Sequence, residues 1–146
     1  MKELDALALE LSGTTLIEAS AGTGKTYTLT TLYLRLLVEK DLLPSQILVV
    51  TYTQAATAEL RERVRERIRE AIAAGDASDE EAEAAGYSLE ARRLGRMARA
   101  SSELSDPSGA PTSVDPLRRA LREFDEAAIF TIHGFCQRAL AQNAFE

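Results

Sequence analysis

Three features of the 146-residue sequence predict an α/β fold, a parallel sheet flanked by helices. Apolar runs alternate with helical patterns in the order strand, helix, strand, helix, with short joints between them. One run, Ile47–Tyr52 (ILVVTY), is β-branched and continuously apolar, the pattern of a parallel strand covered on both faces. A Gly24-Lys25-Thr26 tripeptide stands where the first strand-like run passes into the first helical one. The length suits one domain with one continuous core.

Thr14–Ala19 (TTLIEA) is a short apolar run ending in small residues and reads as a buried strand. After the small-residue stretch Ser20–Gly24, Leu29, Leu32, Tyr33, Leu36 and Leu37 recur at helical spacing within Thr26–Glu39. Leu34 and Val38 carry the apolar surface almost all round, so this helix is expected between two layers. Asp41–Gln46, with Pro44, connects to the strand Ile47–Tyr52. Thr53 can cap a long helix over Gln54–Ala74 with Leu60, Val64, Ile68 and Ile72 on one stripe. The character changes at Gly75, because Gly75–Glu90 holds six acids and no base. A helix resumes over Leu89–Ala100, where Arg92, Arg93, Arg96 and Arg99 mark a basic face, and Ser101–Ser113 reads as a mobile Ser/Pro/Gly loop. Pro116–Phe124 is expected to be helical with Asp115 as its cap. Ala127–Thr131 is a third short strand, and Gly134–Phe145 a closing helix with Phe135, Ala139, Leu140 and Phe145 on its apolar side. The organisation is one lobe over 1–146, with 75–113 as a variable acidic and helical insertion followed by a loop.

Composition excludes several function classes. Seventeen basic residues face 23 acidic ones, a net charge of -6, which argues against a polybasic coat for nucleic acid or anionic membrane. The imbalance is local: residues 75–90 carry -6, and the remainder is neutral. The single cysteine, Cys136, excludes an internal disulfide and a multi-cysteine zinc site and reads as a small core residue. No apolar run approaches a membrane span and the start lacks a secretory pattern, so the sequence reads as cytoplasmic with no membrane partner.

The chemistry is concentrated in Ala19-Ser20-Ala21-Gly22-Thr23-Gly24-Lys25-Thr26. Small residues at Ala19, Ala21, Gly22 and Gly24 let a backbone wrap a phosphate closely, so that its N–H groups and the helix N-terminus act as fixed dipoles. Lys25, the candidate catalytic residue, would reach the β- and γ-phosphate oxygens of ATP, and Thr26 would offer its hydroxyl to Mg2+. The usual first glycine of this eight-residue pattern is Ala19 here. Hydrolysis also requires an acid at the carboxyl end of a neighbouring strand. None is visible: the strand Ile47–Tyr52 ends in Thr51 and Thr53 rather than in an acid, and Asp125-Glu126 precedes its strand, on the wrong edge for a ligand. The segment therefore reads as nucleotide-binding and catalytically incomplete. Arg61, Arg63, Arg65, Arg67 and Arg69 alternate with glutamates, and Glu59–Arg63, Glu62–Arg65 and Glu66–Arg69 stand at pairing distance, so a solvated, self-paired face is expected rather than a DNA stripe.

Leu16–Leu37 (LIEASAGTGKTYTLTTLYLRLL), Ile47–Ile68 (ILVVTYTQAATAELRERVRERI) and Phe124–Leu140 (FDEAAIFTIHGFCQRAL) together resemble the start of superfamily 1 (UvrD/Rep-like) DNA helicases. Thr-Tyr-Thr followed by Ala-Ala-x-Glu-Leu narrows the resemblance to that superfamily. Thr-Ile-His-Gly-Phe-Cys-Gln points to its RecB-type, exodeoxyribonuclease V beta branch. The resemblance covers about 60 of the 146 residues. It implies a RecA-like P-loop NTPase sheet, of which this would be an incomplete first motor lobe. It implies ATP and Mg2+ as cofactors, single- or double-stranded DNA ends and the other subunits of a RecBCD-like complex as partners, and a role in double-strand-break repair and recombination. It further implies DNA contacts at Thr51, Tyr52 and Thr53 and at Thr131, His133 and Gly134. Hydroxyls at a strand end can bond phosphate and an aromatic can stack on a base. On the residues alone, Tyr52 could instead pack in the core, and His133 could be a hydrogen-bonded structural residue. Two rivals remain open: a small P-loop phosphotransferase, and a nucleotide-binding module without catalysis.

Overall fold

The computed structural model describes residues 4–20, 22, 24–103 and 114–144. In chain order its elements are α1 (Lys25–Glu39), β1 (Val49–Thr51), α2 (Gln54–Asp76), α3 (Asp79–Ala84), α4 (Leu89–Glu103), α5 (Pro116–Arg122), β2 (Ile129–Thr131) and α6 (Ile132–Asn143). Short 3-10 turns at Pro44–Gln46 and Phe124–Glu126 lead into the two strands. The strands pair in parallel, Val49 opposite Ile129, Val50 opposite Phe130 and Thr51 opposite Thr131. The α/β class and the parallel pairing agree with the sequence reading.

The strand expected over Thr14–Ala19 does not form. A strand exists only through hydrogen bonds to a neighbour, and among the described residues none lies beside this run, which leaves Leu16 83% exposed. Nor is β1 covered on both faces: Leu48 and Val50 are about half exposed, while Ile47 is buried. α2 packs on one side of the strand pair, so every second side chain of the apolar run turns away from it. On β2, Arg61 of α2 donates to the carbonyls of Ala127 (2.9 Å) and Ile129 (3.0 Å). The intervening Ala128 carbonyl turns the other way and accepts from Val49 of β1. The guanidinium thus satisfies the strand's outer edge.

The core is built around α2, whose Leu60, Val64 and Ile68 are buried as their spacing predicts, with Ile72 half-buried at the rim. Tyr33, Leu34 and Leu37 of α1, Leu94 of α4, Leu117 of α5, Phe124 and Ile129 close around them. α1 is buried along its second half only; Tyr27 and Leu29 are about 40% exposed, so it is not sandwiched along its whole length. Arg35, buried on the same helix, donates to the Ala6 and Leu9 carbonyls (2.8 and 2.6 Å) and to both oxygens of Glu39. It staples the chain's start to α1, and its hydrogen bonds hold the Glu39 carboxyl below the usual carboxylate range.

The segment from Gly75 is more ordered than its composition suggests. α2 runs through Gly75 to Asp76, because Gly75 lies against Gly95 of α4 and the backbones nearly touch. A Cβ at Gly75 would stand 2.6 Å from the Gly95 carbonyl carbon. Ser78 and Glu81 form a reciprocal capping box that starts α3, with Asp79, Glu80 and Glu81 in its first turn. Hydrogen bonds from Ser78 hold the Glu81 carboxyl low. The Ser-x-x-Glu spacing was the available signal for this helix. The loop expected over 101–113 is helical at 101–103 and otherwise lies outside the described residues. Asp115 caps α5 as expected, accepting from the Leu117 and Arg118 N–H groups.

α6 starts two residues earlier than the sequence pattern suggests, and Phe145 lies outside the described residues. No residue of this helix is buried, Leu140 is 73% exposed, and Cys136 is exposed rather than in the core. The helix touches the strands, which leaves Phe135 and Ala139 of its apolar side half-buried and Leu140 uncovered. Of the α2 arginines, Arg61 bonds the Ala127 and Ile129 carbonyls, and three others pair differently from expectation: Arg63 with Glu66, Arg67 with Glu70, Arg65 with Asp125 across to the β2 turn. Arg69 is exposed with no ion pair among the described residues. Among the described residues no helix is long and apolar enough to cross a membrane.

Candidate functional site

The glycine-rich loop leads straight into α1. Gly22 and Gly24 both adopt left-handed backbone, with φ of 78° and 77°, a conformation that side chains disfavour. Ala19 is half-buried and Ser20 exposed, and Ala21 and Thr23 lie outside the described residues. Gly24 is the N-cap of α1 and so brings no capping side chain of its own, and the helix's first turn contains no acid. That end of the helix dipole is open to an anion. Lys25 and Thr26 are the first two helical residues, both exposed. They line a cavity of about 220 Å3 together with Thr51, Ala56 and Glu59.

The second group gathers at the carboxyl ends of the strands. The Thr51–Thr131 register places Thr51–Thr53 and Thr131–Gly134, some eighty positions apart in the chain, side by side. Thr53 caps α2, its hydroxyl accepting from Ala56 N–H at 3.1 Å; Thr131 caps α6, accepting from Gly134 N–H at 3.0 Å. Each cap spends a hydroxyl lone pair; Thr53 is exposed, with its O–H proton available to an acceptor, whereas Thr131 is buried, 7% exposed. Two helix N-termini therefore open at the same sheet edge. Tyr52 stands between them 91% exposed, which overturns the core alternative for it. His133 is exposed and makes no hydrogen bond among the described residues. Sequence reasoning missed Thr57: it is buried, its hydroxyl lies 2.6 Å from that of Thr51, and it bonds the Thr53 carbonyl, fixing the strand end. Asp125 and Glu126 lie in the turn before β2, at the opposite end from Thr131, where Asp125 pairs with Arg65.

Thr26 also borders a larger cavity, about 390 Å3, between α1 and α2. Tyr27 forms one wall: the Arg67 guanidinium lies 4.6 Å from its ring centre, and its hydroxyl donates to Glu90 at 2.7 Å. Burial and the bond to Glu90 push the Tyr27 hydroxyl above its ordinary value of 10. Among the described residues no cluster of three His, Cys, Asp or Glu side chains forms a metal site.

The family model described as the UvrD/REP helicase N-terminal domain matches residues 2–146. The RecBCD enzyme subunit RecB of Escherichia coli K12 is 46% identical over 98% of this chain, and that of Haemophilus influenzae 40% over 97%. RecB of Mycobacterium tuberculosis H37Rv is 40% identical over 87%. The chain spans 12% of the length of the first two and 10% of the third. With the family match running through all three motif-bearing segments, the chain belongs to the UvrD/REP helicase family and carries the sequence of its N-terminal domain, of the kind found in RecB subunits.

Proposed function

We propose that this chain is the nucleotide-binding part of the first motor lobe, with a RecA-like P-loop fold, of an ATP-dependent DNA helicase acting in RecBCD-type repair of DNA ends. The observation that carries the reading is the shared cavity: Lys25 and Thr26 line it from one side and Thr51 from the other. A nucleotide group and a DNA-contacting strand end would thus be neighbours. The residues fit MgATP. Gly22 and Gly24 hold the loop in a backbone form that leaves open space where a Cβ would stand. Lys25 would bind the β- and γ-phosphate oxygens, Thr26 would hold magnesium brought by the nucleotide, and Ala19–Gly24 would wrap the phosphates. When bound, MgATP supplies the hydrolysable phosphoanhydride.

Thr53 would donate its hydroxyl proton to a backbone phosphate of single-stranded DNA, with Tyr52 stacking on a base and Thr51, Thr131, His133 and Gly134 shaping the groove. The relatives are RecB subunits of RecBCD enzymes, which supports partner subunits of that type for the intact protein. The test compares MgATP and oligonucleotide binding by the chain and by Lys25→Ala. The expected result is MgATP binding that falls at least about tenfold in the variant, with DNA binding retained. Binding of ATP without DNA would favour the nucleotide-module reading. Turnover abolished by Lys25→Ala would overturn the view that the catalytic acid lies elsewhere.

A further inference from the structure

The acidic and helical stretch that the sequence suggests is a variable insertion reaches the first turn of α1, next to the glycine-rich loop. Tyr27 directly follows Thr26, and it is held from two other elements. From α4, Glu90 accepts its hydroxyl at 2.7 Å. From α2, Arg67 lies over its ring, 4.6 Å from the centre, and two of that guanidinium's nitrogens, Nε and Nη2, are buried with no hydrogen-bond partner among the described residues. The ring face is what compensates them. Arg67 is itself fixed through Nη1, to Glu70 at 2.6 Å and to Ser88 Oγ at 3.3 Å. Ser88 accepts the Ala91 N–H at 3.2 Å and so caps the start of α4. The first turns of α1 and α4 are therefore joined through one side chain.

We infer that Tyr27 is a positioning residue: by bridging Arg67 and Glu90 it sets the first turn of α1, and with it Lys25 and Thr26, and makes that turn dependent on α4. The consequence for nucleotide affinity rests on the MgATP reading above, whereas the coupling of the two helix starts does not. An aromatic ring fixed at its face and at its hydroxyl has little freedom left, so the two residues before it inherit its position. Segment 78–103 then acts on the loop as a brace.

The test uses the whole chain as wild type, Tyr27→Phe, Glu90→Ala, Glu90→Gln and the Tyr27→Phe/Glu90→Ala double variant. Amide hydrogen exchange is read at residues 26–30, at 89–92 and, as an internal reference, at Val64 and Ile68. Affinity for a fluorescent MgADP analogue is measured alongside. Tyr27→Phe and Glu90→Ala should each speed exchange about five- to tenfold at both helix starts, with the reference amides unchanged and the double variant no worse than either single one. Glu90→Gln, which keeps a carbonyl acceptor for the hydroxyl, should retain wild-type rates. The MgADP dissociation constant should rise about three- to tenfold in the two disruptive variants and stay level in Glu90→Gln. Exchange that rises only in the mutated helix, adds up in the double variant or rises equally at Val64 and Ile68 overturns the coupling. Wild-type binding of MgADP with unchanged affinity in Tyr27→Phe overturns the positioning role. Absence of wild-type binding overturns the MgATP reading instead, and the exchange pattern alone then decides the coupling.

Discussion

Tyr52 and Tyr33 show how one residue type takes opposite roles according to where the chain puts it. Tyr52 ends β1 with 91% of its surface exposed and so contributes almost nothing to the core. Tyr52→Ala should leave the unfolding midpoint unchanged while weakening single-stranded DNA binding by about 1–3 kcal/mol, the worth of one stacked base, as read by fluorescence anisotropy. Tyr33 is 2% exposed, and its hydroxyl has no hydrogen-bond partner among the described residues. Burial pushes that hydroxyl up to about 12 from its ordinary value of 10.0. Because the folded value lies above the unfolded one, Tyr33 favours the fold fully below pH 10, and this contribution is lost as pH climbs through about 12. Urea unfolding of Tyr33→Phe should therefore match or exceed wild type at neutral pH, since an unsatisfied hydroxyl is removed. Near pH 11 its advantage should grow by about 1 kcal/mol. Either location could have been drawn for Tyr52 from the sequence, because a strand-end aromatic suits core and surface alike.

At the level of elements, caps and periodic stripes were legible and partners were not. Thr53, Asp115 and the stripe Leu60, Val64, Ile68 placed α2 and α5 correctly, since both signals act within one or two turns. Gly75 misled because a glycine reads as a helix end, whereas here it serves the close crossing of α2 and α4. An added Cβ at Gly95 would fall on the Ala71 carbonyl oxygen and on Gly75. Gly95→Ala should force the two helices apart and cost about 1–3 kcal/mol by urea unfolding, despite alanine's better helix propensity. The apolar run Thr14–Ala19 has strand chemistry and, among the described residues, no strand beside it, and α6 has an apolar side that is only partly covered. Propensity states what a segment could pair with, not whether a partner is there.

Across the whole molecule, the net charge of -6 belongs to residues 75–90 and is largely a surface property of α3 and its flanks. Asp79 pairs with Arg96 and Asp76 with Arg118, while Glu80 and Glu83 are exposed with no ion pair among the described residues. Glu80→Gln with Glu83→Gln should raise the isoelectric point and shift stability by no more than about 0.5 kcal/mol, measured by thermal or urea unfolding. The sequence by itself determined the α/β class, the parallel order, the glycine-rich loop at the head of α1, the caps of α2 and α5 and the family. These follow from local spacing and from residue types whose physics needs no distant partner. Only the tertiary structure decided that Thr51 and Thr131 stand opposite each other, that Lys25, Thr26 and Thr51 share one cavity, and that Tyr27 is gripped by Arg67 and Glu90. Those juxtapositions join residues between 25 and 80 positions apart, and they arise from strand register and helix packing, to which each segment contributes only one side.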